Sequence, residues 1–109
     1  MANVYKILAQ SSPAATTETD LYTVPLATSA VCSSIAICNR GTTQTTFRVS
    51  LSQGGGATIN KNYIYYDVTL AGNDTFIATI GVTLAATDKI RIYAGNANLS
   101  FQVFGTEIS

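Results

Sequence analysis

Histidine and tryptophan are absent from this 109-residue chain, and only 11% of its residues are charged. Each shortage closes off some chemistry. Histidine is the side chain whose ordinary pKa suits proton transfer near neutral pH, and it is the commonest metal ligand. Without it, a general base or a zinc centre would have to come from carboxylates and thiols alone. The acids are Glu18, Asp20, Asp67, Asp74, Asp88 and Glu107. Nothing in their spacing pairs two of them as a glycosidase requires. Asp74 and Asp88 fall in turn sequences, where Asp normally bonds its own backbone. Asp20, Asp67, Asp74 and Asp88 with turn carbonyls form a conceivable calcium set, but no EF-hand loop is present. The chain therefore reads as non-enzymatic, with no catalytic residue, cofactor or metal expected.

Net charge is missing as well: six basic and six acidic residues cancel. That removes the positive footprint of a nucleic-acid binder. It also leaves little to hold identical copies apart, so an assembled subunit is a better expectation than a free monomer. No run approaches the roughly 20 apolar residues of a membrane helix. Met1-Ala2-Asn3-Val4-Tyr5-Lys6 lacks the basic start and apolar block of a signal peptide, so synthesis in the cytosol with reduced thiols is expected. The two cysteines, Cys32 and Cys38, read as one face of one strand, about 20 Å apart at ~3.3 Å per residue. They cannot pair with each other at that distance and read as small buried hydrophobes.

What is present favours strands. Apolar residues make up 47%, enough for a single core, and the polar surface comes from Thr, Ser, Asn and Gln. Thr is β-branched and tolerates an exposed strand face. The organising stretch runs from Ala30 to Gln53, read as two strands folded into a hairpin about Asn39-Arg40-Gly41-Thr42-Thr43. Asn and Gly would supply positive φ at that reversal. On the first strand, Val31, Ser33, Ile35 and Ile37 share a face and Cys32, Ser34, Ala36 and Cys38 the other, both apolar enough to be covered. On the second, Phe47, Val49 and Leu51 point inward while Arg48, Ser50 and Ser52 point to water.

Around it, Val4 to Gln10 reads as an edge strand, and Ser11 to Asp20, with Pro13 in the middle, as extended loop. Residues 1–20 are thus either an arm reaching a neighbour or an edge strand and loop of the same domain; residues 21–109 form the body. Leu21 to Val24 is a short strand stopped by Pro25. Gly54-Gly55-Gly56 reads as a flexible hairpin tip, because it lacks a Gly-Lys-Ser/Thr ending and leads into a strand rather than a helix. Lys61 to Leu70 carries Tyr63, Tyr65 and Tyr66, as sheet-face packing, a subunit interface or a ligand platform. Thr75 to Leu84 alternates, with Phe76, Ala78, Ile80 and Val82 on one side. Lys89 to Tyr93 and Leu99 to Phe104 follow, with Gly95-Asn96-Ala97-Asn98 expected to close a hairpin between them. Asn73-Asp-Thr75 and Asn98-Leu-Ser100 match the glycosylation pattern, which carries nothing without secretion. The pattern predicts an all-β, antiparallel sandwich or jelly roll of about eight short strands.

Several phrases together resemble small structural proteins of tailed-bacteriophage particles, notably of phages infecting cyanobacteria. They are Tyr5-Lys6-Ile7-Leu8-Ala9-Gln10-Ser11, Leu21-Tyr22-Thr23-Val24-Pro25, Cys38-Asn39-Arg40-Gly41 with Thr46-Phe47-Arg48-Val49, Leu84 to Ala94, and Leu99 to Gly105. The resemblance spans nearly the whole chain and rests on strand-and-turn phrasing, with no signature residues to carry over. It implies a repeated, non-enzymatic virion component made in the host cytoplasm. The first expectation is a capsid cement or decoration protein, a homotrimer clamping major capsid proteins. A tail, neck or baseplate accessory is the alternative, and a carbohydrate- or receptor-binding module a further one. The expected contact residues are Val4, Tyr5, Ile7 and Pro13 of the arm, Tyr63, Tyr65 and Tyr66, and Phe101 and Phe104.

Overall fold

The computed structural model describes residues 3–109. Eight strands follow in order: β1 (Asn3–Ser11), β2 (Thr19–Thr23), β3 (Ser29–Asn39), β4 (Thr45–Ser52), β5 (Tyr63–Leu70), β6 (Thr75–Leu84), β7 (Lys89–Ala94) and β8 (Leu99–Ile108). They form two four-stranded sheets, ordered β1-β8-β3-β6 and β2-β7-β4-β5. Each strand pairs antiparallel with its mirror in the sequence: β1 with β8, β2 with β7, β3 with β6, β4 with β5. The chain is therefore one long double ribbon, rolled up so that β3 also meets β8 and β4 also meets β7. That is jelly-roll topology, as the strand pattern predicts. No helix among the described residues is long and apolar enough to cross a membrane.

Rolling the ribbon buries one face of each sheet. Ile35, Ile37, Phe101, Val103 and Leu99 from one sheet meet Phe47, Val49, Ile90 and Ile92 from the other, all fully buried. Phe47 lies at the centre, 5.3 Å from Phe76, 6.0 Å from Tyr65 and 6.5 Å from Phe101 between ring centroids. Burial of each such phenylalanine contributes about 2–3 kcal/mol.

The roll corrects the hairpin reading. β3 and β4 lie in different sheets, so Arg40 to Gln44 crosses the sandwich instead of closing a hairpin. Gly95 to Asn98 crosses likewise, and only β4–β5 stays within one sheet. The Asn39 turn uses no positive φ. Asn39 is instead a buried plug: its amide donates to the carbonyls of Thr43, Leu70 and Ala71, and its side-chain oxygen accepts from the Gly41 N–H. Gly41 is small because a Cβ there would meet the Asn98 side chain.

Strand faces also depart from simple alternation. The register of β3 shifts between Cys32 and Ser34, so Ser33 and Ser34 both turn outward and Cys32 joins Ile35 and Ile37 in the core. Cys38 faces the other way, half-exposed, and both thiols are free. Val31, Ala36 and Cys38 are only partly buried, so the outer face of β3 is not covered. Ser50 and Ser52, expected in water, are buried. The glycine loop folds over Ser52. Ser52 Oγ donates to the Gly56 carbonyl at 2.5 Å, the Arg91 guanidinium donates to the carbonyls of Gly55 and Gly56, and the Gly54 N–H donates to Asp88. This loop is tied down by side chains from neighbouring elements.

Candidate interaction surface

The two outer faces of the sandwich differ in charge. On the β2-β7-β4-β5 sheet, Asp20 accepts from Lys89 Nζ at 2.9 Å and from Arg91 Nε at 2.8 Å. Those two donors hold its carboxyl below the usual range. Beside them, Arg48 meets Asp67 at 2.6 Å and lies 4.4 Å from the ring centroids of both Tyr66 and Tyr93. The Asp67 carboxylate keeps this guanidinium firmly protonated. Such stacking between ring faces adds to the ion pair. A bulge makes it possible: the β4–β5 register shifts between Phe47 and Val49, and Asp67 takes φ 51°. Asp tolerates that left-handed conformation better than most residues. Tyr63 stacks edge-on against Tyr66 at 4.9 Å, and with Asn60 they line a shallow depression of about 280 Å³.

The opposite face, on the β1-β8-β3-β6 sheet, carries no charge among the described residues. Cross-strand register places Tyr5, Ile7 and Gln10 of β1 beside Thr106, Phe104 and Gln102 of β8, then Val31, Ser34 and Ala36 of β3, then Thr83, Thr79 and Ile77 of β6. Tyr5 is 79% exposed and Ile77 70%. Lys6 and Glu107, the charged residues of these four strands, belong to the inner side of the sheet. Lys6 Nζ meets Glu107 at 2.7 Å, and the Tyr22 hydroxyl of the other sheet donates to the same carboxylate at 2.5 Å. This three-residue network closes the sandwich between β1 and β2.

The expected contact residues are dispersed by this arrangement. Tyr5, Ile7 and Phe104 share the charge-free face, with Ile7 directly opposite Phe104. Val4 is exposed but pairs with Glu107, on the other side of β1. Tyr63 and Tyr66 share the charged face, whereas Tyr65 turns inward against Phe47 and Phe76. Phe101 is fully buried and Pro13 is buried, so neither is available for contact at the surface of this chain. Val4 to Gln10, read as an edge strand belonging either to an arm or to the same domain, lies within β1 (Asn3–Ser11), paired along β8. Ile77, Arg48 and Tyr93 were not among the expected residues. The alternation that sends Phe76 and Ala78 inward already sends Ile77 outward; the Arg48 stack depends on a bulge that alternation does not reveal. Among the described residues, no three His, Cys, Asp or Glu side chains gather as a metal site would need.

No protein family and no curated protein matches this sequence. Solved structures do. A chain in the structure of infectious bursal disease virus, Gx strain, matches with a TM-score of 0.55 at 9% identity over 97% of this chain. One from the Gt strain matches with a TM-score of 0.53 at 11% identity over 97% of this chain. This chain spans 31% and 32% of those two chains, about a third of their length. They come from an animal virus, not a tailed phage. At such identity the likeness is one of fold: an all-β sandwich of the kind seen in these virus structures.

Proposed function

We propose that this chain is a non-enzymatic structural component of a virus particle. The observation that carries the reading is the nearly end-to-end likeness of its rolled-up sandwich to part of a virus-structure chain. The charge-free face agrees with it, since a broad uncharged surface loses little on desolvation against a neighbour. The finer reading is a cement or decoration protein on the capsid of a tailed phage, bound as a homotrimer to the major capsid protein through Tyr5, Ile7 and Phe104. A small contact repeated by symmetry gains through effective concentration. A tail, neck or baseplate accessory would use the same face in a ring.

Copy number on purified particles, measured by quantitative mass spectrometry, tests this. Hundreds of copies per particle are expected for a shell protein, and a dozen or fewer would indicate a tail. Absence from particles would overturn the reading. Tyr5→Ser with Ile7→Thr should reduce copy number while the free protein stays folded. Those substitutions are cleaner than deleting residues 2–19, which would strip β1 from its sheet. A sugar-binding reading has one observation in its favour, the depression between Asn60, Tyr63 and Tyr66. Glycan binding lost in Tyr66→Ala, with Tyr65→Phe unaffected, would move the assignment there.

A further inference from the structure

Four strands border the two sheets, and three carry features that discourage pairing with another chain. β1 has Lys6 and a register shift between Ile7 and Ala9. β2 is five residues long, contains Asp20 and is irregular at Leu21. β5 is broken by the left-handed Asp67. β6 differs. It has ten residues, none charged and none proline. Its one irregularity, at Ile80 and Gly81 (φ 59° at Gly81), leaves Thr75 to Thr79 regular. Among the described residues no strand lies beyond it. The core is also incompletely covered here: Phe76, Ala78, Ile80 and Val82 point inward but stay half-exposed, whereas Ile35 and Ile37 on the adjacent strand are fully buried. Ile77 stands out on the other side, 70% exposed.

We propose that β6 is a self-pairing edge, to which a second copy of this chain adds its own β6, antiparallel, with Ile77 of both copies on the two-fold axis. In that register Thr75 meets Thr79 and Phe76 meets Ala78. Every opposed pair shares a face, as antiparallel pairing requires, and large meets small on the inner side. The partner's backbone satisfies N–H and C=O groups that otherwise face solvent. The occupant follows from charge. A two-fold contact brings two copies of one strand together, so charges of one sign on it would be gathered across the contact; β6 has none. The β1 edge of a second copy is a poorer fit, because Lys6 and the shift at Ile7 interrupt it. In the β6–β6 register Thr75 to Thr79 of each copy pair directly, about 17 Å of strand, and the sandwich is 19 Å through its thinnest dimension. Their product, roughly 300 Å², falls short of the ~800 Å² per partner of a stable interface, so the dimer is a weak one.

This inference stands on the edge geometry and does not need the particle reading. Sedimentation equilibrium of the full chain from 1 µM to 1 mM (roughly the range over which a modest interface is resolved) should show a monomer–dimer equilibrium. Ile77→Lys, at an exposed position that leaves the fold intact by circular dichroism, should weaken it at least tenfold. Ile77→Cys in a Cys38→Ser background should form a disulfide-linked dimer under mild oxidation, because opposed Cβ atoms lie about 5 Å apart. A wild-type chain that stays monomeric throughout would overturn the proposal. So would an assembly that Ile77→Lys leaves unchanged, or one broken only by Ile7→Lys. A monomer found on particles would sink this inference alone, whereas a β6 dimer absent from particles would sink only the particle reading.

Discussion

Glu107 receives two donors from different strands, and both leave a mark on its acidity. The Lys6 ammonium first, then the Tyr22 hydroxyl, holds its carboxyl below the ordinary 4.5. The unfolded chain therefore takes up this proton at a higher pH than the folded one. The resulting stabilisation is complete above pH 4.5 and is lost as pH falls below it. Tyr22 has the opposite sign. Burial first, then Glu107, pushes its hydroxyl well above the ordinary 10.0, so its contribution is complete below pH 10 and is lost as pH rises through the folded value. Glu107→Gln should cost about 1 kcal/mol at pH 7, since Lys6 is partly screened by solvent. It should also flatten the fall in stability below pH 4.5. Urea midpoints between pH 3 and 7 (roughly the window in which carboxylates titrate) would show this, and an unchanged acid limb would mean the network contributes nothing. None of this could be read from the sequence, because Lys6, Tyr22 and Glu107 are brought together only by the roll.

At the scale of the strand, alternation was a good guide wherever the strand is regular. Phe76, Ala78, Ile80 and Val82, and again Leu99, Phe101 and Val103, face inward as their spacing predicts. It failed at bulges. Ser33–Ser34 and Leu8 each shift the register, so period-2 extrapolation misplaced Cys32, and Leu8 and Ala9, although adjacent in sequence, both pack against the core. Turn residues announced reversals correctly but could not say which sheet the next strand enters. That choice belongs to long-range pairing, which is why the Ala30–Gln53 stretch was misread as a hairpin. Gly105 shows how tightly one such pairing is made. It sits in β8 between Lys6 and Cys32, and a Cβ there would collide with the Val31 carbonyl. Its φ is not positive, so close approach, not conformational freedom, requires glycine. Gly105→Ala should push β3 from β8 and cost about 3 kcal/mol, read as a lowered thermal midpoint. A midpoint within a degree or two (roughly a few tenths of a kcal/mol) would show that the strands shift freely.

Across the whole molecule, low charge was legible in the composition, but its distribution was not. The ionic residues on strands are gathered on the β2-β7-β4-β5 sheet and at the β1–β2 rim, and they pair with one another. The remaining sheet face, with the β6 edge that continues it, is left uncharged. Salt should separate the two surfaces. Exposed ion pairs are screened within about 8–10 Å at physiological ionic strength and weaken further at higher salt, whereas apolar and backbone contacts do not. If copies of this chain meet through the uncharged sheet or its β6 edge, their association constant should change less than threefold between 50 mM and 1 M sodium chloride (a difference of roughly 0.6 kcal/mol). Contact through the Arg48, Asp20 and Arg91 face would weaken far more over that range, as the pairing partners are neutralised by the added ions. A steep loss of association with salt, measured by sedimentation at each concentration, would therefore assign the interface to the charged sheet and leave the uncharged one as ordinary solvent-facing surface.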